Sequence, residues 1–175
     1  MKTPTLALSL ILGASFAQAQ TARVQVIHNS ADAAAASVDV YLDNTLLLDD
    51  FEFRNATEFI DAPAGVSFTI GIALSTSMSS ADAIFTQDFT LADGETYVIV
   101  ADGIVSPTGY SPAVPFTLEV YPMGREAAVG GSMMTDVLVH HGSTDAPTVD
   151  IYESAVVNTT IVEDAPYGAF AGYLE

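Results

Sequence analysis

The 175 residues contain no cysteine and no tryptophan, and only four basic side chains: Lys2, Arg23, Arg54 and Arg125. Without cysteine there can be no disulfide, no thiolate metal site and no cysteine nucleophile, so stability has to come from a buried core. The four bases stand against 22 acids, a formal charge of −18. A surface of that sign repels nucleic acid and anionic lipid, which argues against both as partners. Charge of this size often accompanies disorder, yet half of the residues are apolar and they alternate in strand fashion, which indicates a folded core. Long apolar runs are also scarce. The one at residues 6–16 is too short to span a bilayer, and no later one exceeds it.

That short run has a lysine before it and Ala17-Gln18-Ala19 after it, the three parts of a secretory signal peptide over residues 1–19. The mature chain is expected to start at Gln20, to be secreted or held at the cell surface, and not to insert in a membrane. It would keep three arginines and no lysine against 22 acids, a charge of −19. The acidity is consistent with a well-solvated exported surface or with a saline habitat.

One pattern occurs twice. His28-Asn29-Ser30-Ala31-Asp32-Ala33, then Val38-Asp39-Val40-Tyr41, returns as His141-Gly142-Ser143-Thr144-Asp145-Ala146, then Val149-Asp150-Ile151-Tyr152. The histidines are 113 residues apart and the strand aspartates 111, because two extra alanines lengthen the first loop. Each copy reads as a strand ending in His, a Ser/Asp loop, and a strand in which Asp alternates with apolar residues.

Alternation and turn residues predict strands at residues 23–28, 38–42, 45–48, 57–61, 66–72, 83–89, 96–100 and 116–121, then at 137–141, 149–152 and 169–174. Outside the signal peptide no segment has a 3.6-residue period. The expected fold is all-β, an immunoglobulin-like antiparallel β-sandwich in tandem. Its first module covers residues 20–121, a Gly/Ser-rich connector 122–135, and a partial second module 136–175. The second copy stops where the first continues for about 60 residues, so the chain is expected to belong to a longer protein. Tyr97, three residues after Gly94 and early in a strand, is spaced as a tyrosine corner requires.

The residues that could carry chemistry are His28, Ser30, Asp32 and Asp39, with His140, His141, Ser143, Asp145 and Asp150 in the second copy. A strand-end His and a loop Asp four residues on could ligate a metal, but Ser and Asp are also the residues that satisfy loop N–H groups. Structural pinning of the loop is the expected role, with no catalytic, cofactor-binding or metal residue. Asp49, Asp50 and Glu52 offer carboxylates to Ca²⁺, though no Asp-x-Asp-x-Asp-Gly loop is present, so a calcium site would be weak. There is no Gly-x-Ser-x-Gly elbow and no phosphate-cradling glycine loop. A non-enzymatic structural or adhesive module is expected, with a carbohydrate- or calcium-binding accessory module as the alternative. Its partner would be an extracellular polysaccharide or protein.

The doubled His-x-Ser-x-Asp-Ala and Val-Asp-Val/Ile-Tyr elements, the Pro63-Ala64-Gly65 turn and Gly94-x-x-Tyr97-x-x-Val100 resemble the family known as domain of unknown function 4397. That resemblance implies an exported bacterial β-sandwich module, usually in tandem within a longer surface protein. It implies no activity.

Overall fold

The computed structural model describes residues 19–175; the expected signal peptide falls almost wholly on residues outside these. Among the described residues the chain is all-β. The strands are β1 (Thr21–His28), β2 (Ser37–Leu42), β3 (Thr45–Glu52), β4 (Ile60–Pro63), β5 (Ser67–Leu74), β6 (Phe85–Thr90), β7 (Thr96–Asp102), β8 (Thr117–Tyr121), β9 (Val137–His140), β10 (Val149–Glu153), β11 (Thr159–Ala165) and β12 (Phe170–Leu174).

Eight of these strands form two four-stranded sheets, ordered β4-β1-β7-β8 and β3-β2-β5-β6. One apolar cluster takes residues from both: Val24, Tyr97, Ile99 and Leu118 from the first sheet, Val38, Val40, Phe68, Ile70, Ile72 and Phe89 from the second. The period of two places these side chains on one face of each sheet. Each large apolar side chain removed from water there contributes roughly 1.5–3 kcal/mol.

The connectivity corrects the immunoglobulin-like, fully antiparallel expectation. In an immunoglobulin domain the first two strands share a sheet with the fourth and fifth; here β1 and β2 lie in different sheets. β1 runs parallel to β7, with Val24 opposite Tyr97 and Val26 opposite Ile99. The cause is the passage of residues 29–36, which crosses from one sheet to the other through a 3₁₀ turn at Ala33–Ala35 instead of folding back as a hairpin.

β7 is buried along nearly its whole length. Tyr97, Ile99 and Ala101 face the shared core, while Val98 and Val100 join a second cluster with Ile27, Tyr121, Leu138, Phe170 and Tyr173. A strand covered on both faces reads as a continuous apolar run, which is what residues 97–101 are. The cover on the second face is a ribbon of β9 and β12; β10 and β11 form another. The strand β11 was not foreseen. The connector 122–135 holds no strand and is tied down by Arg125, whose guanidinium donates to Asp136 at 2.6 Å and to Glu175 at 3.1 Å and lies over the Tyr173 ring.

Candidate functional site

The passage from β1 to β2 gathers the buried polar groups. His28, at the end of β1, donates from Nε2 to the Ala35 carbonyl at 2.8 Å, and its ring packs against Phe51 and Phe53. Burial, partly opposed by that carbonyl, pushes the imidazole pKa below its ordinary value. Ser30 donates to the Gly103 carbonyl at 2.6 Å. Gly103 sits at φ +85°, and a Cβ there would lie 2.3 Å from the Pro115 carbonyl oxygen, so only glycine fits.

Asp32 is 1% exposed and accepts five hydrogen bonds. The donors are the N–H groups of Ala34, Val105 and Ser106, the Ser106 hydroxyl and the Tyr110 hydroxyl, at 2.6–3.2 Å. Burial alone would push its carboxyl up, but the donors from Ala34, Ser106 and Tyr110 outweigh this and hold it below the usual carboxylate value. Asp32 therefore staples the loop after β7 to the loop after β1. Val105, Ser106 and Tyr110, 73 or more residues downstream, carry no local signal of this role.

Asp39 is buried on the outer side of the second sheet. It accepts from Asp50 N–H at 3.1 Å and from the Ser77 hydroxyl at 2.5 Å, and Ser77 shares a hydrogen bond with the Tyr41 hydroxyl. Tyr97 accepts from Ala92 N–H, five residues upstream, at 3.1 Å, the contact that defines a tyrosine corner.

The second copy repeats the bonds of His28 and Asp39. His141 donates from Nε2 to the Pro147 carbonyl at 3.0 Å, as His28 does to Ala35. Asp150 accepts from Asp164 N–H at 2.8 Å, as Asp39 does from Asp50, and Asp50 and Asp164 share φ 50°. Gly168 N–H donates to the His141 carbonyl and Arg54 N–H to that of His28, both at 2.8 Å and both from positive φ. Strand register agrees as well: Val24 faces Ile60 and Val137 faces Leu174; Val40 faces Leu48 and Ile151 faces Val162. Ser143 and Asp145, however, are exposed and bond to each other at 3.0 Å.

His28 and His141 are not brought together. His140 is drawn elsewhere, to a constellation the motif did not reveal: the fully buried Asp102 at the end of β7 accepts from His140 Nε2 and, at 2.6 Å, from the Asn29 amide. A Cβ on Gly142 would lie 2.2 Å from that amide nitrogen, so a side chain there would displace the Asn29–Asp102 pair. The nearby Tyr167 hydroxyl is buried without a partner, and burial, then Asp102 and Glu119, push it up to about 12. Asp49, Asp50 and Glu52 lie on β3, and among the described residues no group of three or more His, Asp or Glu converges to hold a metal ion.

Residues 17–117, more than half of the chain, match the family described as domain of unknown function (DUF4397). The chain belongs to that family. The DUF4397 match covers β1 to β7, the Asp32 staple, Tyr97 and the buried Asp102. No curated protein and no solved structure matches the chain.

Proposed function

We propose that this chain is a non-catalytic extracellular building unit of a larger exported or cell-surface protein, with a structural or adhesive role. In this reading residues 20–121 form one β-sandwich module, its two sheets packed face to face, and residues 136–175 belong to a second module of the same kind. The observation that carries it is the use made of the signature residues. Ser30, Asp32 and Asp39 spend their hydrogen-bonding capacity on the chain's own loops, and the same loop geometry recurs around His141 and Asp150. A reacting group must have an atom free to meet a substrate, whereas these groups fix one loop to another. A motif whose His and strand-Asp bonds recur suits a unit strung in series, and the acidic surface keeps such a unit solvated outside the cell.

The test is a turnover assay of the purified protein on glycoside, ester and peptide substrates, beside His28→Ala and His141→Ala variants. The proposal expects no turnover. Activity abolished by either variant without unfolding would overturn it.

A further inference from the structure

The first copy shows what the corresponding strands of the second still have room for. β1 has two strand neighbours, β4 and β7, and β2 has β3 and β5; among the described residues β9 is paired with β12 alone and β10 with β11 alone. Exposure shows the same contrast. On the face that meets the core in the first copy, Val24 is 5% exposed and its counterpart Val137 47%, and Val38 and Val40 are buried where Val149 and Ile151 are half-buried; on the opposite face Tyr41 is 5% exposed and Tyr152 54%.

Polar groups tell the same story. In the first copy Ser30 and Asp32 reach the passage after β7, at Gly103, Val105 and Ser106. Tyr41 reaches Ser77, after β5. In the second copy Ser143 and Asp145 are exposed and Tyr152 turns to the Asn158 carbonyl of its own hairpin. The contacts of Ser30, the downstream contacts of Asp32 and the contact of Tyr41 that are missing from the second copy are all made with the β5–β8 half. Unpaired edges beside an apolar face are a template for strand addition.

We propose that β9–β12 form an acceptor surface for a four-strand segment of the β5–β8 type, carried in cis on the same polypeptide. The proposal rests on the module reading above and names that module's internal partner. By the β1·β7 register, a β7-type strand adds parallel to β9, with its tyrosine opposite Val137 and the second residue after it opposite Val139. By the β2·β5 register, a β5-type strand adds antiparallel to β10, beside Val149 and Ile151. The donor presents alternate apolar residues to this face. It then turns so that a carbonyl meets the Ser143 hydroxyl and two successive N–H groups meet Asp145.

The experiment extends the chain after Glu175 with a second copy of its own residues 62–121, a join that keeps the first copy's spacing because Glu175 is the counterpart of Asp61. Amide exchange in β9 and β10 is expected to slow at least ten-fold. Asp145→Ala should lower the melting temperature of the extended chain and leave that of the 175-residue chain unchanged. In the 175-residue chain Val137→Asp should be tolerated while Val24→Asp unfolds the first copy.

Proteolysis that trims the extension back to Glu175 would overturn the proposal, as would docking seen only between two molecules by sedimentation. A Val137→Asp penalty matching that of Val24→Asp would show the face already covered, with the same consequence. Failure of export would sink the extracellular reading and leave this one standing.

Discussion

The carboxylate of Asp102 and Nε2 of His140 pair across the seam between β7 and β9, with Asp102 wholly removed from solvent. They are 38 residues apart, and their pairing fastens the β9–β12 ribbon to the outer face of the first sheet.

His140→Ala leaves the Asp102 charge buried with the Asn29 amide as its remaining side-chain donor. Loss of one member of a buried pair costs about 3–5 kcal/mol. The loss should appear as faster amide exchange in β9 and a lower urea midpoint. Adding Asp102→Asn should recover part of it. Equal, additive penalties in a double-mutant cycle would show that the two side chains are not coupled.

Asp32→Ala leaves the N–H groups of Val105 and Ser106 without their acceptor. Each buried group so orphaned costs on the order of 1–3 kcal/mol, and the penalty should be the same in EDTA and in calcium. A penalty that disappears in chelator would mean that a bound cation, and not the loop staple, is what Asp32 serves.

His28 makes the first copy sensitive to mild acid. Because burial lowers its folded pKa, the folded state prefers the neutral ring. Its contribution is complete above the unfolded value near 6.5 and is lost as pH falls through the lowered folded value. Asp32 and Glu153 act in the same direction further down. Glu153, held at about 2 by the N–H groups of Ala155, Val157 and Val156, loses its contribution as pH falls below its ordinary value of 4.5. His28→Phe should therefore flatten the stability curve between about pH 7 and about pH 5. Parallel curves for the two proteins in urea titrations across that window would refute the assignment.

Salt should stabilise this protein. With a formal charge of −18, self-repulsion opposes the compact state. The screening length falls from about 10 Å at 0.1 M to about 3 Å at 1 M. The thermal midpoint is expected to climb as NaCl rises over that range; a flat or falling midpoint would contradict it.

Local pattern alone determined a good deal. Alternation in residues 66–72 and the strand pattern at 96–100 announced β5 and β7, and the unbroken apolar run of β7 reflects burial of both its faces. The doubled His-Ser-Asp passage is plain in the sequence; around its two histidines the carbonyl bond and the strand register recur, while Ser143 and Asp145 do not make the bonds of Ser30 and Asp32. β11 escaped because Glu163 and Asp164 interrupt its apolar residues and, among the described residues, it pairs with β10 alone. What only the tertiary structure decided is which strands share a sheet, that β1 runs parallel to β7, and that Asp102 receives His140. Those choices depend on where a loop carries the chain after it leaves a strand, and on which side chains 38 to 78 residues apart then meet. The period of a strand records which of its faces are buried, not which neighbour buries them.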